Sequence, residues 1–179
     1  SEADYLTDVL ASHATTFLDS VAGADRPFFL YLAPFAPHSP STPARRHQGM
    51  FSGKKAPRTP AFNERNMRDK SNWMRRTGRL TATRIQKIDD GYALRLESLQ
   101  AVDELIDGVI QRVQDQGKLG STYFIFLSDN GYFLGEYRQP HGKDAPYDAA
   151  ARVPFIISGP SIAQGATTAK ISLNIDVLP

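Results

Sequence analysis

Asp129 and Asn130 close an apolar run, Thr122 to Leu127, within the stretch TYFIFLSDNGYFLGEYRQPHGK. Their side-chain oxygens are hard donors of the kind that hold Ca2+ or Mg2+. Gly131 follows at once, so the same tripeptide is also a favoured turn on conformational grounds alone. Placement favours chemistry: a buried strand that ends in a polar, glycine-turned loop is where open α/β sheets bind ligands. His141-Gly142-Lys143 lies a little further on. It can set a cation opposite a metal, both facing one anionic group, or form a solvated basic loop. His38 is framed by Pro37 and Pro40 at the end of a second apolar run. A histidine fixed there can donate to an anion or act as an acid, although an ordinary loop histidine reads the same way. Glu136 and Arg138 are placed to pair with each other.

These residues need a scaffold. Residues 4–22 carry Tyr5, Leu6, Val9, Leu10, Phe17, Leu18 and Val21 at spacings of three and four, which predicts an amphipathic helix stopped near Gly23. Phe28 to Leu32 is a continuous apolar run of strand length, as in a strand buried on both faces. A second helix is predicted over 85–115, where Tyr92, Leu96, Leu99, Val102, Leu105, Val109 and Val113 keep one stripe. Strands follow at 122–127 and 153–157. Buried strands alternating with helices predict parallel pairing and right-handed crossovers. Residues 41–84 lack clear periodicity and read as one long basic insertion.

At 179 residues the chain suits one domain, or a portion of a larger one. Mean hydropathy is −0.37, and no apolar run approaches the roughly 20 residues that span a bilayer. Cysteine is absent, which excludes disulfides, thiolate zinc sites and a cysteine nucleophile among these residues. The net charge of +2 conceals an asymmetry. Residues 54–87 hold 11 Lys and Arg against Glu64 and Asp69, so the rest of the chain is net acidic. Such a segment can attract polyanions or merely stay solvated.

Taken together, Ala36-Pro37-His38-Ser39-Pro40, Ser128-Asp129-Asn130-Gly131-Tyr132, Leu134-Gly135-Glu136, His141-Gly142-Lys143, Tyr147, Arg152-Val153-Pro154 and Asn174-Ile175-Asp176 resemble the sulfatases in type and order. The likeness is greatest to N-acetylglucosamine-6-sulfatases and other glycan sulfatases, and extends over helix 85–115. It implies an alkaline-phosphatase-like α/β fold, a sheet with helices on both faces, present in part. It further implies Ca2+ ligands at Asp129 and Asn130, a sulfate-contacting lysine at Lys143, and a sulfate-contacting, leaving-group histidine at His38. His141 falls at a variable substrate-facing position. Many relatives place histidine where this chain has Phe133, which would remove a polar contact here.

The resemblance implies a formylglycine nucleophile within a C/S-x-P-x-R motif. The formal match, Ser41-Thr42-Pro43-Ala44-Arg45, directly follows the His38 loop and lacks the family's context, so it reads as a decoy. Residues 1–179 are therefore expected to be a middle-to-late portion of one sulfatase catalytic domain, inactive alone. The nucleophile and the remaining Ca2+ ligands are expected upstream. The expected partners are a sulfated amino sugar or glycosaminoglycan and the rest of the domain, with no nucleic acid and no membrane. A secreted or periplasmic bacterial protein is expected rather than a lysosomal one, since no N-x-S/T sequon occurs. Two other readings stay open: a phosphodiesterase or phosphonate hydrolase of the same superfamily, and a non-catalytic module that binds sulfated glycan.

Overall fold

The computed structural model describes residues 4–177. In chain order it contains helix α1 (Leu6–Ser20), a short helix α2 (Asn72–Arg75), a long helix α3 (Ala82–Asp115), strand β1 (Phe124–Leu127), a short helix α4 (Asp148–Ala151) and strand β2 (Phe155–Ser158). Single 3-10 turns occur at Arg45–His47, Leu119–Ser121 and Asn174–Val177.

Helix α3 is the spine, about 50 Å long at 1.5 Å per residue. It starts three residues earlier than its apolar stripe suggests, because Thr81 caps it: the hydroxyl accepts from the amide of Arg84 at 3.3 Å. Helix α1 packs along it and runs in the same direction. Asp8 reaches residue 104 through Arg46, while Asp19 pairs with Arg112 at 3.0 Å. Leu18 and Val113 are buried at this end.

Three acids on α3 lie about two turns apart: Asp89, Glu97 and Glu104. Each receives part of the incoming loop. Asp89 accepts the amide of Ala56 at 3.0 Å and the guanidinium of Arg58 at 2.6 Å. Glu97 accepts the amide of Phe51 at 3.1 Å, and Glu104 bonds His47 Nε2 at 2.9 Å. Residues 46–58, part of the 41–84 stretch expected as a long basic insertion, are thus laid along a helix face.

Arg46 joins Asp8 of α1 to Glu104 of α3. Its hydrogen bonds hold both carboxyls below their ordinary range, with His47 adding to the effect on Glu104. A carboxyl whose folded pKa is lowered contributes fully above its unfolded value and loses that contribution as pH falls through the folded one. Acidification from about pH 5 to about pH 3, across the unfolded carboxyl values, is therefore expected to lower the melting temperature. In Arg46→Met a smaller drop is expected, read by thermal denaturation at the two pH values.

The strands depart from expectation. Strands β1 and β2 pair antiparallel, Phe124 opposite Ser158 and Leu127 opposite Phe155, where parallel pairing was predicted. Residues 28–32 are extended but join no strand ladder among the described residues. Their exposure alternates, with Phe29 at 74% and Tyr31 at 78%, so the run buries one face instead of two. That face meets α1, where Phe17 and Phe28 stack edge-on at 6.3 Å. Ile125 and Ile156 are also exposed.

Candidate functional site

Strand β1 ends at Leu127 and delivers Ser128, Asp129 and Asn130 into an irregular loop. Ser128 anchors the turn: its hydroxyl donates to the Asn130 carbonyl at 2.9 Å, and its carbonyl accepts from Asn174 Nδ2 at 3.0 Å. Gly131 donates its amide to the Ala150 carbonyl at 2.8 Å. A Cβ on Gly131 would stand 2.2 Å from the Ala149 carbonyl oxygen, so only glycine permits this approach.

Phe133 donates its amide to the Gly142 carbonyl at 2.9 Å, which folds the loop back on itself. Lys143 is thereby carried to Asn130, and its ammonium donates to Asn130 Oδ1 at 2.8 Å. The same ammonium lies 4.0 Å from Asp129 Oδ2. Asp129 is 83% exposed and Lys143 40%. Asp129, Asn130 and Lys143 thus form one accessible constellation. His141 is exposed on the turn just before Gly142.

Phe133 is 2% exposed and packs with Met67, Met74, Ala145 and Ala150, so its side chain is core. One expectation about this loop is corrected. Glu136 and Arg138 do not pair. Glu136 accepts the amide of Leu134 at 2.6 Å, while Arg138 donates to the carbonyls of Glu64, Thr77 and Arg65 at 2.9, 2.8 and 3.0 Å.

His38 is exposed, with its ring 4.9 Å from that of Phe35. Its Nδ1 lies 2.9 Å from the Ser39 carbonyl. A carbonyl only accepts, so Nδ1 carries the proton in that bond and Nε2 is left for exchange. Arg95 of α3 joins the His38 loop to the Asp129 loop. Its guanidinium donates to the Pro37 carbonyl at 3.3 Å and to the Ser39 hydroxyl at 3.4 Å, and lies 3.8 Å over the Tyr132 ring. Sequence reasoning passed over Arg95, although a charged residue between Tyr92 and Leu99 on the apolar stripe signals a tertiary partner.

Ser41 is 6% exposed at φ 54°, and its hydroxyl donates to the Pro37 carbonyl at 2.9 Å. The hydroxyl is therefore buried and committed to that carbonyl.

The oxygens of Asp129 and Asn130 suit a hard divalent cation in chemistry and exposure. Two side chains supply a minority of the roughly six to eight oxygens that Ca2+ takes. Among the described residues, no group of three or more His, Cys, Asp and Glu side chains could hold a metal.

The family model described as Sulfatase matches residues 1–179. The human N-acetylglucosamine-6-sulfatase is 36% identical over 178 residues, 98% of this chain and 32% of that protein. An extracellular sulfatase homologue from Drosophila melanogaster is 30% identical over 98% of this chain and 16% of that protein. A solved structure described in complex with its substrate D-glucosamine-2-N,6-O-disulfate superposes at TM-score 0.71 and 23% identity. The match covers 96% of this chain and 47% of that one, and extends the likeness of fold. The chain spans about a third of the human relative's length.

Proposed function

The chain belongs to the sulfatase family, and from that premise we propose that it builds one wall of a sulfate-ester hydrolase site. The observation that carries the proposal is the Lys143 ammonium, 2.8 Å from Asn130 and 4.0 Å from Asp129 on an accessible loop. A sulfate ester is anionic and repels nucleophiles. Lys143 neutralises that charge at the sulfate oxygens and favours the charge that builds up in the transition state.

Asp129 and Asn130 are the residues that would hold Ca2+. When bound, the ion supplies Lewis-acid charge to the sulfate group. His38, its Nδ1–H held on the Ser39 carbonyl, orients Nε2 toward the departing alcohol oxygen and, as the doubly protonated imidazolium, hands it the Nε2 proton. Arg95 keeps that histidine's loop in register with Tyr132. His141 stands at the substrate-facing rim.

The nucleophile, a formylglycine in this reading, comes from outside residues 1–179. The remainder of the sulfatase domain would cover Phe29, Tyr31 and the open face of β1 and β2. The substrate is a sulfated amino sugar or glycosaminoglycan, which relatives named N-acetylglucosamine-6-sulfatase support. An extracellular or periplasmic setting follows from the same substrate class and from the extracellular relative. No described helix is long and apolar enough to cross a membrane.

The test is turnover by a polypeptide that joins this chain to a formylglycine-bearing segment. Release of sulfate from glucosamine 6-sulfate, at a rate exceeding phosphate release from glucosamine 6-phosphate, is expected. Faster phosphate release would favour the phosphoryl-hydrolase reading.

A further inference from the structure

The loop from 64 to 79 carries six of the chain's basic residues, yet it is not a floppy tail. Met67 and Met74 are buried in the cluster of Phe133 and Ala145. Arg138 grips three of the loop's carbonyls. Asn63 and Leu80 close its base through a reciprocal pair, the Leu80 amide donating to Asn63 Oδ1 at 2.9 Å and Asn63 Nδ2 to the Leu80 carbonyl at 3.3 Å. A segment that only kept the protein soluble would need none of this.

The charges on the loop are unbalanced. Its two acids, Glu64 and Asp69, both pair with Lys70. Arg65, Arg68, Arg75, Arg76 and Arg79 are exposed and have no carboxylate partner among the described residues. Arg75 donates only to the neutral amide oxygen of Asn72. Among them stands Trp73, 53% exposed on α2 while its neighbour Met74 is fully buried. Arg76, the C-cap of α2, follows three residues after Trp73.

An exposed indole packs on the apolar face of a pyranose ring. Guanidinium groups bind planar or tetrahedral oxyanions through paired N–H donors. Holding both on a rigid loop reduces the ordering cost of binding. We propose that Trp73 and the surrounding arginines form an accessory subsite for a sulfated saccharide unit, separate from the Asp129–Asn130–Lys143 constellation. The subsite rests on the sulfated-glycan reading of the function. It is joined to the loop of Lys143 through the Met74–Phe133–Ala145 cluster, so an extended chain held on Trp73 would be presented to a fixed geometry.

Trp73 is the single tryptophan of the chain, so its fluorescence reports this place alone. Titration of the 179-residue chain with a heparin hexasaccharide is expected to change the emission saturably, with weaker binding as salt rises. The double variant Arg75→Gln/Arg76→Gln should weaken binding at least tenfold. Calorimetry on Trp73→Ala should show at least a fivefold loss, and a polyphosphate of matched charge should bind more weakly than the hexasaccharide. Unchanged emission at saturation would overturn the subsite. So would equal binding of polyphosphate with no effect of Trp73→Ala, since charge alone would then account for it. Lys87→Gln, at an exposed basic residue outside the loop, should leave the Trp73 response unchanged, and a response lost equally in that variant would also overturn a subsite confined to the loop. Failure of the hydrolase reading shows up in sulfate release, not in this titration.

Discussion

Replacing Lys143 by glutamine is expected to lower sulfate-ester turnover by roughly a hundred- to a thousandfold, the usual cost of losing one pre-organised charge partner of the transition state. Glutamine is chosen because its amide can still donate to Asn130 Oδ1, so the loop keeps its shape while the charge disappears. The loss should fall on kcat, since the charge is needed most as the bond to the leaving oxygen breaks. Lys143→Arg keeps the charge but not the compact ammonium, and should recover only part of the rate. The measurement is steady-state hydrolysis by the same formylglycine-joined polypeptide. A change confined to KM would point to simple ground-state attraction.

Replacing Gly131 by alanine is expected to cost about 3 kcal/mol of stability, at the upper end of what overpacking usually costs. The new methyl would meet the Ala149 carbonyl oxygen at 2.2 Å, the Ala149 carbonyl carbon at 3.0 Å and the Arg152 carbonyl oxygen at 3.1 Å. These are backbone atoms of and next to α4, which cannot turn aside as a side chain would. The Gly131–Ala150 hydrogen bond must break, and the Asp129–Asn130 turn then shifts away from Lys143. Gly108→Ala is the matched control. A Cβ there meets nothing within 4 Å, and the site is mid-helix, so alanine should stabilise by about 0.5–1 kcal/mol. Chemical denaturation of both variants checks the pair. Equal effects would remove the steric account of Gly131.

Much of this arrangement is legible in the residues, and the gaps have identifiable causes. Helices α1 and α3 follow from apolar spacing, because an amphipathic stripe packed on one neighbour leaves a clear 3.6-residue pattern. The meeting of Asp129, Asn130 and Lys143 is local, formed within one loop, and so survives in sequence order. Strand direction is different. Phe124–Leu127 and Phe155–Ser158 are apolar whichever way they pair, and the connection between them is long enough for a crossover or a return. Only tertiary structure decides.

Arg138 illustrates a second limit. Proximity in sequence suggested Glu136 as its partner, but Tyr137 and Arg138 sit at φ 52° and 62°. That backbone turn sends the guanidinium to residues 64, 65 and 77. The acceptance of the loop from His47 to Arg58 by Asp89, Glu97 and Glu104 depends on contacts far apart in sequence. Arg95 is the same kind of case.

The most direct test combines sulfate release with control of free Ca2+ in the formylglycine-joined polypeptide and in its Asp129→Asn variant. The account predicts turnover that stops on chelation and returns with Ca2+, with at least ten times more Ca2+ needed for half-maximal rate in the variant. Turnover indifferent both to chelation and to the loss of the Asp129 carboxylate would contradict it.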